Sequence, residues 1–413
     1  MKFIVASDFH FDAVTAGVRR FEELERAAVA VVKHAIEAKV DAFLFLGDLC
    51  DPDTGSAVFR CVELAQRMAV KLAQERITSF WMAGNHDVIE DGTGHTTLTP
   101  MRSIEKWGAK RLFPEPGSIL VVERWEHFII DTGRDKKDHT PPITFAFLPY
   151  TATSHHYSPK DVMPTQAFHN AWRAQAPVVF AGHLSIPGIV PGEETHEMGR
   201  GRDMTFPYDE IIERRREYPT LMLNGHYHRQ QHFRKLKDSR GIHIPGSMAR
   251  LTFGEEYHAP GYLFVETRGH KFDVYNNSFG NKHTPDTKPA TLLTIGESDP
   301  IWKQVAEGEA IYFGDDLRAT IVRLRPPLEA EEIHVELVVH ALRTLGVAAV
   351  KVLPRPSKAV LPAFRTELDE EGEPLQVAKR PYEVVSELVE SANTRDRDAL
   401  KQLTSEVMAK AGL

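Results

Sequence analysis

The chain has 413 residues, 42% hydrophobic and 26% charged, an ordinary globular composition and enough length for two or three domains of ~150 residues. A formal net charge of −8 argues against a broadly basic nucleic-acid coat, although cations held by carboxylates and histidines can invert the charge locally. No stretch approaches the roughly 20 apolar residues of a membrane span, MKFIVASDFH turns polar too soon for a signal peptide, and Cys50 and Cys61 are too few for a disulfide framework. Both cysteines are read as reduced, part-buried thiols, and the expected location is the cytoplasm.

In chain order, the apolar run Lys2 to Asp8 reads as a strand, Arg19 to Lys39 as an amphipathic helix and Val40 to Asp48 as a second strand. A helix from about Ser56 to Gln74 and a strand from Ile77 to Asp87 follow, and this alternation implies parallel strands buried by helices. Strand-like runs recur at SILVVER, HFIIDT and TFAFLPY, then come a helix around Gln166 to Gln175, the strand Pro177 to His183 and a Gly- and Pro-rich loop from Ile186 to Pro207. The strand Thr220 to His226 and the pieces QQHFRKL, GIHIPGS, GYLFVET and KFDVYNN close the region near Asn277, suggesting an α/β sandwich over residues 1–280. GNKHTPDTKP (Gly280 to Pro289) is the linker candidate. A compact βαβ unit is expected over Asp316 to Pro354, within a second domain at 290–355. After a charged break (Arg365 to Gln376), a tail at 378–413 offers amphipathic helices near Tyr382 to Ala392 and Asp396 to Lys410.

Polar residues of metal-binding type follow apolar strands at five places: Asp8 and His10; Asp48 and Asp51; Asn85, His86 and Asp87; His183; and His226 with His228. Ligands gather beyond the carboxyl ends of strands in open α/β sheets, so the five places point to one shared site. Carboxylate, imidazole and amide oxygen without thiolate fit a two-metal hydrolase using manganese, iron or zinc better than magnesium. Strand alternation would put Asp8 and His10, and likewise His226 and His228, on a common face. Glycine before Asp48, Asn85, His183 and His226 would permit sharp turns and close backbone approach.

These motifs, in this order, resemble the calcineurin-like metallophosphoesterase superfamily, whose pattern D-x-H, G-D, G-N-H-D/E, H and G-H-x-H is filled between Lys2 and His228. The resemblance implies a four-layer α/β fold, a β-sandwich flanked by helices. It also implies that Asp8, His10 and His228 hold one metal, that Asn85, His183 and His226 hold the other, and that Asp48 bridges them. In-line attack of an activated water on a phosphodiester would follow. His86 would stabilise the phosphorane oxygens or protonate the leaving alkoxide, while Asp87 would orient either that imidazole or a ligand.

A second resemblance reaches further: Gly241 to Glu266, GIHIPGSMARLTFGEEYHAPGYLFVE, is similar to a stretch of the SbcD nuclease family, relatives of the eukaryotic break-repair nuclease "Mre-eleven". It implies a manganese-dependent DNA exonuclease and endonuclease acting in repair, recombination or replication, and a homodimer. The βαβ unit would then be the small C-terminal DNA-capping domain, and the helical tail would dock an SMC-like coiled-coil ATPase of the SbcC type. The family reads G-D-L-F-H where this chain has GDLCD, placing Asp51 at a phosphate-positioning histidine. Competing expectations are a small-molecule phosphodiesterase of the cyclic-nucleotide kind and a non-catalytic DNA-tethering subunit. His34 and His127 are expected to be satisfied within a helix and a strand, Arg250 to contact phosphate or solvent, and Arg214 to Glu217 to form a solvated helix end.

Overall fold

The computed structural model describes residues 1–131 except 90 and 92, 141–150, 176–186, 189, 205–233 except 216, 241–354 except 310, 312, 314–316 and 319, and the short pieces 367–368 and 374–375. In chain order these give β1 (Lys2–Ala6), a ribbon of β2 (Val14–Thr15) and β3 (Val18–Arg19), α1 (Phe21–Glu37), β4 (Ala42–Phe45), α2 (Ala57–Gln74), β5 (Thr78–Met82), β6 (Ile119–Val122), β7 (Glu126–Ile130) and β8 (Ile143–Leu148). Then come β9 (Val178–Gly182), α3 (Tyr208–Arg214), β10 (Thr220–Asn224), β11 (Gln231–Phe233), β12 (Ile242–Ile244), β13 (Gly261–Arg268) and β14 (Lys271–Ser278). The C-terminal unit contains β15 (Leu292–Ile295), α4 (Pro300–Ala306), β16 (Ile321–Leu324), α5 (Glu332–Thr344) and β17 (Ala349–Val352).

Two six-stranded sheets form the sandwich, ordered β14-β13-β1-β4-β5-β6 and β11-β12-β10-β9-β8-β7. Within the first, β1, β4, β5 and β6 run parallel, and the hairpin β13–β14 adds an antiparallel edge through β1. Within the second, β8, β9, β10 and β12 are parallel, with β7 and β11 antiparallel at the rims. Strand alternation divides the side chains. Phe3, Val5, Leu44 and Phe80 point into the layer between the sheets, where they meet Phe145, Phe147, Val179 and Leu223. Ile4, Ala6, Phe43, Phe45 and Trp81 point the other way, onto α1 and α2. Helix α1 buries Leu24, Ala27, Ala28, Val31, Val32 and Ala35, a stripe at helical spacing that fits this outer face. On the far face of the second sheet, Val178, Phe180 and Met222 pack with Tyr208 and Ile211 at α3, completing four layers.

The C-terminal unit is a three-stranded parallel sheet, β15-β16-β17, with its own core of Trp302, Val305, Val322, Leu324, Val338 and Leu342. The βαβ of β16, α5 and β17 lies where the sequence places it, whereas β15 and α4 were not anticipated. Their signals are short, and α4 starts at an Asp-Pro whose Asp299 side chain accepts from Ile301 N at 3.0 Å. This unit rests on the loop before β13: Phe253 is buried with Leu292 and Ile321. The expected helix around Gln166 to Gln175, most of the Ile186 to Pro207 loop and the tail helices lie outside the described residues. Among the described residues, no helix is long and apolar enough to cross a membrane.

Three sequence expectations change. Arg215, within the charge run Arg214 to Glu217, is fully buried rather than solvated: its Nε donates to Thr220 Oγ1 (3.0 Å) and its Nη2 to Ala176 O (3.0 Å), tying the starts of two strands together. Arg250 extends Nη1 toward Ala290 O, the entry to the C-terminal unit, at 3.5 Å. Cys50 and Cys61 are free thiols, fully buried rather than partly so.

Candidate metal centre

β1, β4 and β5 of one sheet and β9 and β10 of the other end at the same rim, each leading within three residues to a polar motif. Asp8, His10 and His228 offer ligand atoms within 4.8 Å of one another, and so do Asp48, His183 and His226. Asn85 joins the second group, its Oδ1 lying 3.0 Å from His183 Nε2 and 2.9 Å from His226 Nδ1. Asp48 Oδ2 stands between the groups, 3.1 Å from His183 Nε2 and 3.6 Å from His10 Nε2. All seven positions expected to bind metal therefore meet at one seam.

The local geometry differs from simple strand alternation. The strands stop short of the motifs, and Asp8 (φ 54°), His10 (φ 41°), Asp48 (φ 62°) and His226 (φ 74°) occupy the left-handed region that non-glycine residues rarely adopt. Such a conformation costs about 1–2 kcal/mol per residue and persists only where surrounding contacts impose it. Here the imposing contacts are backbone pairs between the first two motifs: Phe9 N and His10 N donate to Asp48 O at 2.8 and 3.1 Å, and Phe11 N donates to Leu49 O at 3.0 Å. His226 N donates to Asp8 Oδ1 at 3.0 Å, closing the seam between the sheets. The glycines act through close approach, since a Cβ on Gly47 would lie 2.5 Å from His183 Nδ1, and one on Gly84 would collide with the Asp48 carboxylate.

Electrostatics favour bound cations. Asp8 is fully buried, its Oδ2 has no hydrogen-bond partner among the described residues, and burial raises its pKa. Burial also pushes Asp48 upward, but His183, His86 and His10 outweigh it and hold that carboxyl well below its usual range. Burial lowers His183, yet Asp48, Asp8 and the Leu46 carbonyl win and raise it to about 9, whereas burial and His183 push His226 down to about 3. Buried carboxylates that gather protonated imidazole in this way are a donor set suited to divalent cations, which would displace the proton.

The supporting contacts were only partly visible in sequence. His183 Nδ1 lies 2.6 Å from Leu46 O, which leaves Nε2 for the site. His228 Nδ1 lies 2.8 Å from Glu255 Oε1, and Glu255 was missed because its signal is a single letter in the FGEE run. Asn224, also missed, joins the loops after β9 and β10: its Oδ1 accepts from Leu184 N (3.1 Å) and its Nδ2 donates to Leu184 O (2.9 Å).

Of the two roles expected for Asp87, the structure supports holding a ligand rather than the imidazole. Its Oδ2 accepts from Asp48 N and Gly84 N, both at 2.8 Å, and its Oδ1 from Leu49 N (2.9 Å) and Thr97 Oγ1 (2.6 Å). Burial and Asp48 push its pKa up to about 6. His86 stands at the mouth with its side chain 39% exposed, Nδ1 3.8 Å from Asp51 Oδ2 and its ring 5.0 Å from that of His10. Its backbone N donates to Asp48 Oδ1 at 2.9 Å.

Among solved structures, the chain is similar to TT1561 of Thermus thermophilus (13% identity, 67% of this chain and 98% of that one, TM-score 0.35). It is also similar to a dimetal phosphatase from Danio rerio (11% identity, 67% and 99% coverage, TM-score 0.40) and to Yfce, a phosphoesterase from E. coli (11% identity, 65% and 89% coverage, TM-score 0.29). Residues 1–230, more than half of the chain and the span that contains every candidate ligand, match the calcineurin-like phosphoesterase family. The chain belongs to that family of metal-dependent phosphoester hydrolases.

Proposed function

We propose that the protein is a manganese-dependent DNA nuclease of the SbcD type, cutting phosphodiesters as a double-strand exonuclease and single-strand endonuclease. It would work as a homodimer beside an SMC-like coiled-coil ATPase. The observation that carries this reading is the segment Pro245–Glu256. Its sequence resembles the SbcD stretch, and it lies between the ligand His228 and the C-terminal α/β unit, the position a DNA-capping domain would need.

Two divalent cations, when bound, activate water and neutralise charge on the phosphoryl oxygens. Asp8, His10 and His228 would hold one, Asn85, His183 and His226 the other, with Asp48 shared. His86, half-exposed beside Asp48, donates a proton or hydrogen bond to a phosphoryl or leaving oxygen. Asp87 keeps Asp48 in place through the backbone.

Digestion of linear duplex and single-stranded DNA with Mn2+ tests the assignment. The wild type should degrade both, and His86→Ala should bind Mn2+ normally but cut roughly 10²–10⁴-fold more slowly, the usual weight of a positioned acid or base. A wild type that leaves DNA intact and hydrolyses a cyclic nucleotide overturns the nuclease reading.

A further inference from the structure

We propose that Glu255 is a positioning residue for His228, and that the docked C-terminal α/β unit holds Glu255 in register, coupling the place of that unit to one half of the metal centre. Glu255 and His228 are 1% and 6% exposed, so their 2.8 Å contact is shielded from water. A carboxylate only accepts, so His228 Nδ1 carries the hydrogen and Nε2 keeps its lone pair. That nitrogen faces His10 Nε2 at 3.2 Å and Asp8 Oδ1 at 4.0 Å, the direction in which a cation would bind.

The loop bearing Glu255 is pinned from both sides. Toward the centre, Glu255 Oε2 accepts from Leu251 N at 2.9 Å. Toward the C-terminal unit, Phe253 is buried against Leu292 of β15 and Ile321 of β16, and the Arg323 guanidinium lies 4.6 Å from its ring centroid. Glu256 Oε2 accepts from Thr294 Oγ1 at 2.7 Å, and Arg323 Nη2 donates to the same hydroxyl at 3.0 Å. Phe253, Glu255 and Glu256 thus alternate between the C-terminal unit and the metal ligand within four residues. A shift of β15 or β16 would reach the His228 ring through one short helical turn (Phe253–Glu255).

The proposal rests on the metal reading of Asp8, His10 and His228, not on DNA as substrate. Mn2+ alone is titrated into the full chain by electron paramagnetic resonance, beside thermal unfolding without metal, for wild type, Glu255→Ala, Glu255→Gln and Arg323→Ala. Wild type should bind two ions. Glu255→Ala should weaken one of them roughly 10–100-fold, the usual weight of such an outer contact. Glu255→Gln, whose amide oxygen still accepts from Nδ1–H, should recover most of that loss. Arg323→Ala, which replaces no ligand, should weaken the same ion several-fold. Wild-type affinity in both Glu255 variants overturns the positioning role, and so does equal weakening of both ions together with a lowered melting temperature. Unchanged binding in Arg323→Ala overturns the coupling. A wild type that binds no Mn2+ overturns this proposal and the metal reading together, whereas failure to cut DNA bears only on the substrate.

Discussion

The Asp87 carboxylate is fully buried and accepts four hydrogen bonds, three of them from the backbone around Asp48 and Gly84. Asp87→Ala strands those donors away from water at about 1–3 kcal/mol each. The variant should lose on the order of 3 kcal/mol or more in urea unfolding and release the Asp48 turn; a loss near zero would contradict the fastening role. Asp51 differs, although it also faces the site. Its contact with His86 spans 3.8 Å between side chains 44% and 39% exposed, and pairs that open are worth about 1 kcal/mol at most. Asp51→Asn should therefore change turnover by no more than about fivefold, read as initial rates on DNA. Under the proposed nuclease reading, Asp51→His, which introduces the SbcD-type histidine, should shift the ratio of exonuclease to endonuclease cutting; an unchanged ratio would remove Asp51 as its determinant.

At the level of elements, the parallel strands and both long helices were legible because apolar runs and helical stripes are local signals. The seven metal-type positions that meet at the seam were legible because each follows such a run. Legibility failed where one element's role depends on a remote one. The hairpin β13–β14 joins β1 across more than 250 residues of sequence, the left-handed turn at Asp8 is held by backbone pairing with the Asp48 loop, and His226 N donates to the distant Asp8 carboxylate. His34 shows the same limit. Expected only to be satisfied within its helix, it bonds Tyr262 of β13 (2.7 Å) and stacks on His283, 4.0 Å between centroids, in the segment leading to the C-terminal unit. Burial, with His283 and Lys282, pushes its pKa down to about 4 from the ordinary 6.5. The unfolded chain therefore binds the proton first, so the His34 contribution to stability is full above about 6.5 and is lost as pH drops toward 4. His34→Gln should flatten that slope in urea unfolding between pH 6.5 and 4.

For the whole molecule, proton and cation compete at the seam. Because His183 is raised to about 9, its proton stabilises the metal-free chain fully below about 6.5, and that contribution disappears as pH rises through 9. Mn2+ binding requires neutral imidazole, so affinity should rise over the same interval. At a hundredfold excess over the dissociation constant an ion adds about 2.7 kcal/mol. The gain in melting temperature on adding Mn2+ should thus be larger at pH 8.5 than at pH 6.5, and EDTA should erase it; a gain that shrinks with pH would place the proton elsewhere.

The donors come from both halves of the sandwich: Asp8, His10, Asp48 and Asn85 follow strands of one sheet, and His183, His226 and His228 follow strands of the other. The aromatic layer of Phe80, Phe145 and Phe147 between the sheets consequently works as a caliper. Its packing separates the two sets of donors, so Phe145→Ala should cost about 3–5 kcal/mol in urea unfolding and weaken Mn2+ binding at the same time.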